Sequence, residues 1–68
     1  MIRTQAALFA ALLNDAGWTP QDVVDHGLHS FDIVRTILVT QKGAVIVFKD
    51  GTKALWSESG TRWEPDTI

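Results

Sequence analysis

Three potential metal ligands lie close together in the segment Asp25-His26-Gly27-Leu28-His29. Two imidazoles and a carboxylate suit zinc or nickel when a fourth ligand comes from elsewhere. Gly27 is placed to end a helix between the two histidines, so they need not share a face. The chain has no other histidine and no cysteine to complete a closed site. We therefore expect no metal here and assign His26 to a helix C-terminus, where a cation is favourable.

Residues suited to nucleophilic catalysis are equally sparse. A hydrolytic nucleophile needs a base and a group that orients it. Ser30 is next to His29 only in sequence, and Ser57 and Ser59 fall at hairpin positions. The aspartates of the N-terminal half suit helix ends, and so short a chain has little room to enclose a substrate. We expect no enzymatic activity, no catalytic residue, no cofactor and no small-molecule substrate.

Nucleic-acid binding is favoured by the cations and aromatic residues of the C-terminal half. Aromatic side chains stack on bases when they are exposed, and lysines contact phosphates. The residues concerned are Lys42, Lys49, Lys53 and Arg62 with Phe48, Trp56 and Trp63. The formal net charge of −2 opposes this function, because non-specific nucleic-acid binding depends on a broad basic field. A Trp56–Trp63 cross-strand pair also suits a hydrophobic core.

The composition indicates one small folded domain over residues 1–68. The hydrophobic fraction is 46%, with three tryptophans and three phenylalanines. A chain of this length lies near the lower limit for folding without staples, and cysteine is absent, which excludes disulfides. The apolar run that begins at Ala6 is only eight residues long, too short for a membrane span, and Asn14-Asp15-Ala16 after it is a poor signal-peptide cleavage site. These features predict a cytoplasmic protein without membrane contact.

Two helices are predicted in the N-terminal part. Residues 4–16 are strong helix formers, with Thr4 as the N-cap and Gly17 as the terminator. Residues 20–26 form a second, short helix, for which Thr19 is the cap and Gly27 the end. Apolar residues at three- and four-residue spacing predict the stripe by which the first helix packs: Leu8, Phe9, Leu12, Leu13 and Ala16.

From Phe31 onward the apolar period changes to two, which indicates strands. Strands are predicted at about 31–40, 44–49, 52–57 and 61–64. Gln41-Lys42-Gly43 predicts a three-residue turn, and Asp50-Gly51 and Ser59-Gly60 predict two-residue turns. The expected fold is α+β, with the first helix and a short second helix packed on a three- to four-stranded antiparallel meander.

These turns set the register and therefore the faces of the sheet. The face expected beneath the first helix carries Ile33, Ile37, Val39, Val45, Val47, Ala54, Trp56 and Trp63. The opposite face is expected to carry Val34, Leu38, Ile46, Phe48 and Leu55 within a polar rim. An apolar centre with a polar rim is the anatomy of an interface. The alternative is that the second helix, or Leu28 with the C-terminal tail, covers this face.

The two apolar faces predict a protein-binding module that acts by surface occlusion. The partner is another protein or a second copy of the chain, and the final strand offers an edge for strand addition. The expected protein-binding residues are Leu38, Ile46, Phe48, Lys53, Leu55 and Arg62. A nucleic-acid-binding hairpin protein and a homodimeric structural subunit are the alternatives.

In size and character the chain resembles the small, acidic, cysteine-free proteins of phages and mobile elements, anti-CRISPR proteins among them. Many of those proteins are stoichiometric inhibitors that occlude a surface of a host complex. The resemblance covers no defined motif and transfers no site residues to this chain. It implies an inhibitor that works by binding.

Overall fold

The structure of the protein, a computed structural model, describes residues 4–27 and 32–66. It confirms the α+β fold, with two helices packed on a four-stranded antiparallel sheet of order β1-β2-β3-β4. The helices and strands are α1 (Gln5–Ala16), α2 (Pro20–His26), β1 (Val34–Thr40), β2 (Gly43–Phe48), β3 (Lys53–Ser57) and β4 (Arg62–Asp66).

Both ends of α1 follow from local sequence. The Thr4 hydroxyl accepts a hydrogen bond from the backbone N–H of Ala7, as an N-cap does. Gly17 ends the helix at φ 70°, a left-handed conformation that favours glycine. The N–H of Trp18 then bonds the carbonyl of Leu13 at 2.9 Å, which completes a Schellman-type C-terminus.

The short helix α2 has a complete capping box at its N-terminus. The Thr19 hydroxyl accepts from the N–H of Asp22, and the Asp22 carboxylate accepts from the N–H of Thr19 at 2.8 Å. Pro20 occupies the first turn and Gly27 follows the last. Val23 is buried and joins α2 to the same core as α1.

The hydrophobic core lies between the helices and one face of the sheet. The stripe of α1 that enters it consists of Ala6, Phe9, Ala10 and Leu13. The prediction that Leu8, Leu12 and Ala16 belong to this stripe is wrong, because all three are exposed. The two small alanines let the helix approach the sheet closely, and the Phe9 ring packs on the Phe48 ring at a centroid distance of 5.3 Å.

The turn between β2 and β3 holds the N-terminus of α1. The Asp50 carboxylate accepts from the backbone N–H of Gln5 at 3.0 Å, and the Gln5 side chain accepts from the N–H of Asp50 at 3.2 Å. The Thr52 hydroxyl accepts from the N–H of Ala6 at 3.2 Å. Three otherwise unpaired amides of the first helical turn are thus bonded by Thr4, Asp50 and Thr52.

The C-terminal end of α1 is bonded to the last strand. The Asn14 side chain donates to the Trp63 carbonyl at 2.8 Å and accepts from the Trp63 N–H at 2.9 Å. The Trp63 indole donates to the Trp18 carbonyl at 2.9 Å. No buried side-chain polar atom of the described residues lacks a hydrogen-bond partner.

Candidate functional site

The face of the sheet turned away from α1, called the outer face below, is built from three rows of side chains. The pairings of the four strands define each row. The central row is Leu38, Val45, Leu55 and Glu64, the second is Thr36, Val47, Lys53 and Asp66, and the third is Thr40, Gly43, Ser57 and Arg62. Apolar residues therefore collect toward β1, and charged residues collect toward β4.

The central row is apolar across three strands and open to solvent. Leu38 is 59% exposed and Leu55 is 39% exposed, with half-buried Val45 between them. Both helices contribute buried residues to the core on the other side of the sheet. The alternative that α2 covers the outer face is therefore wrong, whereas Leu28 lies outside the described residues.

Two of the six residues predicted to bind a partner lie in the core instead. Ile46 and Phe48 have no exposed surface, which corrects their assignment to the outer face. Val45 and Val47 take their places there. Leu38, Lys53, Leu55 and Arg62 lie on the outer face as expected, and their binding role stays a prediction.

The error arises from two turns that each differ by one residue from the prediction. The first turn has two residues, since Thr40 pairs with Gly43, whereas a three-residue turn was expected. The second has three residues, since the N–H of Phe48 bonds the carbonyl of Thr52. The two differences cancel between β1 and β3, so only β2 exchanges its faces. Burying Phe48 and Ile46 removes more apolar area from water than burying two valines, which favours the observed register.

A bulge near the start of β1 causes a further correction. The register shifts between Val34 and Thr36, which places Val34 opposite Phe48 and buries it. The prediction that Val34 lies on the outer face is therefore wrong. The shift changes which residues face inward, because one extra residue reverses the alternation of a strand.

The aromatic residues considered for base stacking all lie on the inner face. Phe48 and Trp63 are buried, and Trp56 is partly buried against the same cluster, with its ring centroid 5.4 Å from that of Trp63. Lys42 and Lys49 lie in turns at opposite ends of β2. The cations and aromatic rings therefore do not share one surface.

The residues considered for metal binding form no site in the described part of the chain. Within residues 4–27 and 32–66, no group of three or more histidine, cysteine or acidic side chains is placed to hold a metal. Asp25 accepts a hydrogen bond from the Gln21 side chain at 2.9 Å, and the His26 ring lies 5.0 Å from the Trp18 ring. His29 and Ser30 lie outside the described residues.

Two carboxylates have perturbed proton affinity, and both act as helix caps. Hydrogen bonds from the backbone and side chain of Thr19 lower the pKa of Asp22. The hydroxyl of Thr52, followed by backbone N–H donors, lowers the pKa of Asp50. Because hydrogen bonds to the charged form favour ionisation, these shifts mark structural contacts and not an acid–base pair.

Sequence reasoning missed two residues of the outer face and one contact between α1 and β4. Val45 and Val47 were assigned to the wrong face because the turn lengths were mispredicted, although Gly43 could have indicated the correct register. Gly43 does not have a positive φ and is part of β2. A Cβ atom at this position would overlap the carbonyl oxygen of Trp56, so the glycine permits close strand approach. The missed contact, the Asn14 bond to β4, joins distant residues and has no local signal.

No family model, curated protein or solved structure matches this chain. Among the described residues, no helix is both long and apolar enough to cross a membrane. The candidate site therefore rests on the chemistry of the outer face alone.

Proposed function

We propose that this protein is a non-catalytic binding module that holds another protein against its outer face. One observation carries the proposal: the apolar row Leu38–Val45–Leu55 lies open to solvent between two more polar rows. Burying this row against a partner removes apolar surface from water, and the favourable free energy of that transfer is about 25 cal/mol per Å². A contiguous apolar patch rimmed by polar residues is the usual character of a protein interaction site, and this row forms the centre of such a patch.

The charged end of the outer face would orient the partner. Lys53 lies opposite Asp66, and Arg62 and Glu64 lie two residues apart on β4. Charges at the rim of an interface contribute more to orientation and association rate than to affinity. A partner with an apolar ridge and alternating charges at one end would complement both parts of this surface.

The mode of action that fits this surface is stoichiometric occlusion, as in an inhibitor that covers a surface of its target. A cytoplasmic location accompanies this proposal. The nucleic-acid alternative loses its stacking component, because Phe48 and Trp63 are buried, and we do not advance it.

A pull-down with two matched leucine variants tests the proposal. Leu55→Lys places a charge in the central row, whereas Leu12→Lys places the same charge at an exposed leucine of α1. Tagged wild-type protein and both variants are incubated with lysate, in parallel with and without nuclease treatment, and bound proteins are quantified by mass spectrometry. Circular dichroism confirms that each variant is folded.

We expect one protein to be retained in stoichiometric amount by the wild type and by Leu12→Lys, and to fall at least about tenfold with Leu55→Lys. An equal loss with both leucine variants would overturn the proposed site. Recovery that disappears with nuclease would overturn protein binding in favour of nucleic acid. A wild type that retains no protein would overturn the binding role itself.

A further inference from the structure

The two edges of the sheet differ in whether they can accept another strand. An edge strand presents every second residue's backbone N–H and C=O outward. On β4 the outward residues are Trp63, whose two groups are both bonded by Asn14, and Pro65, which has no N–H. This edge also carries Arg62, Glu64 and Asp66. Addition of a partner strand to β4, as predicted from the sequence, is therefore not favoured.

The edge formed by β1 is open. Thr40 and Gly43 flank a two-residue turn and form a hydrogen-bonded pair, so Leu38 and Thr36 also bond β2. The alternate residues, Ile37 and Val39, direct their backbone groups away from the sheet. The hydrogen bonds of the described residues outside the strand pairings include none to these groups.

From Thr36 to Thr40 the β1 edge also lacks the usual protection against pairing, whereas Arg35 and the bulge lie before this stretch. Natural edge strands are blunted by charges, prolines or covering segments. Between Thr36 and Thr40 there is no charged residue and no proline. Leu38 is 59% exposed and Val39 is 53% exposed, on opposite faces of the strand. Apolar surface is thus available on both sides of the unpaired backbone.

The sequence of this edge is complementary to itself. Thr36-Ile37-Leu38-Val39-Thr40 has the same chemical character read in either direction. When two such strands pair antiparallel about Leu38, each Ile37 meets Val39 of the second copy and each Thr36 meets Thr40. Pairs of β-branched residues and pairs of threonines are favourable cross-strand neighbours. The two-fold symmetry that such pairing produces is the commonest symmetry of protein self-association.

From these observations we infer that β1 pairs with β1 of a second copy, giving a two-fold symmetric dimer with one continuous sheet. Each Ile37 exchanges both backbone hydrogen bonds with Val39 of the second copy, and the two Leu38 side chains meet on the outer face. The register places Arg35 opposite Gln41, so no like charges oppose one another along the seam.

The dimer would extend the outer face. The central apolar rows of the two copies join at Leu38 and run without interruption from Leu55 of one copy to Leu55 of the other. A single outer face is only about 14 Å wide across its four strands. A standard interface buries roughly 800 Å² on each partner, and a dimer would offer a face of about twice that width toward such an area. The edge pairing itself does not rest on the proposed partner binding, and either can fail without the other.

The first test measures the molecular mass of purified protein by sedimentation over a range of concentrations. We expect a monomer–dimer equilibrium with a dissociation constant on the order of micromolar, because strand pairing of this length buries less than about 1,200 Å². A mass that stays monomeric to about 1 mM would overturn the inference.

Val39→Pro tests the edge directly. Proline removes an N–H that faces away from β2, so the pairing of β1 with β2 keeps its bonds while the seam loses one from each copy. We expect dimerisation to weaken at least tenfold (roughly 1.4 kcal/mol), whereas Val39→Thr, which keeps the N–H, and Leu55→Lys retain the dimer. A folded Val39→Pro protein that dimerises as the wild type does would contradict the inferred edge.

Charge exchange at Leu38 tests the two-fold register without altering the backbone. Leu38→Lys and Leu38→Glu each place like charges opposite one another in the symmetric dimer and should each be monomeric. Mixed in equal amounts, they should form a heterodimer, detected by native mass spectrometry. Failure of the mixture to pair would exclude a seam centred on Leu38. Because no third component is present, neither result depends on the partner of the outer face.

Discussion

The side chain of Asn14 bonds both backbone groups of Trp63, a residue 49 positions later in the chain. The same two groups are the ones that an additional strand would need for pairing with β4. One amide therefore docks the last turn of α1 on the sheet and closes one of its two edges. Among the described residues no side chain bonds the outward backbone groups of β1 in this way, which is why the inferred pairing lies at the β1 edge.

Asn14→Ala should lower the free energy of unfolding by about 1–3 kcal/mol, because the part-buried N–H and C=O of Trp63 lose their partner. Asp15→Ala is the matched control, since it makes the same gain in helix propensity at an exposed neighbouring position. It should change stability by no more than about 0.5 kcal/mol. Urea unfolding measures both, and equal effects would show that the Asn14 bonds contribute nothing.

The register of β2 can be tested by truncating two neighbouring residues on opposite faces. Phe48 is fully buried against Phe9, whereas Val47 lies half-buried on the outer face. Phe48→Ala should cost about 3–5 kcal/mol. A chain of this size has a total stability of only about 3–10 kcal/mol, so the variant should be largely unfolded by circular dichroism.

Val47→Ala should cost less than about 1 kcal/mol, because the outer face leaves no closed cavity behind. The opposite order of effects would restore the register predicted from the turns. The same burial implies that Phe48→Asp unfolds the protein, because an unpaired charge would replace a fully buried ring.

Signals that are local in sequence predicted the elements of this fold well. Thr4, Gly17, Thr19 and Pro20 mark helix ends by interactions with residues at most a few positions away, and each has the predicted role. The α+β architecture followed from the change of apolar period near Phe31. Such signals succeed because their energetics are settled within one or two turns of backbone.

The faces of β2 and the rotation of α1 could not be predicted in the same way. A difference of one residue in a turn moves every side chain of the following strand to the other face. Leu8 and Leu12 fit an apolar stripe as well as Ala6 and Ala10 do, and only the close approach to the sheet favours the alanines. Among the apolar residues predicted for the outer face, Leu38 and Leu55 were therefore placed correctly, whereas Ile46 and Phe48 were misplaced.

The stability of the protein should fall in acid because of the carboxylate that caps α1. Hydrogen bonds hold the pKa of Asp50 below its ordinary value near 3.8. Its contribution is thus fully present above the pKa of the unfolded chain and is lost as pH falls through the lower folded pKa. Urea unfolding between about pH 7 and pH 2.5 should show this loss below about pH 5.

Asp50→Asn should reduce the slope of that acid loss, because an amide does not titrate. The remaining slope includes Asp22, whose pKa is also lowered, by its bonds to Thr19. Thr52→Val offers a second check: it removes the largest cause of the Asp50 shift, so the titration seen by NMR should move upward toward the ordinary value. An unchanged slope in Asp50→Asn would mean that ionisation of Asp50 adds no stability.

Gly43 and Gly60 provide the last comparison, because they differ in the space around them while neither has a positive φ. A methyl group at Gly43 would overlap the carbonyl oxygen of Trp56 and lie 3.2 Å from its carbonyl carbon. Backbone atoms cannot swing aside as a flexible side chain does, so β2 and β3 would have to separate near the Gly43–Ser57 pair. We expect Gly43→Ala to cost about 1–3 kcal/mol.

At Gly60 the nearest heavy atom to a new methyl group is 3.7 Å away, an ordinary contact. Gly60→Ala should therefore be neutral or stabilise by up to about 1 kcal/mol, since alanine restricts the unfolded chain. Thermal unfolding followed by circular dichroism measures both variants. If Gly43→Ala were also neutral, β2 and β3 would tolerate a wider spacing at this point. The close approach at Gly43 would then contribute little to the register of β2.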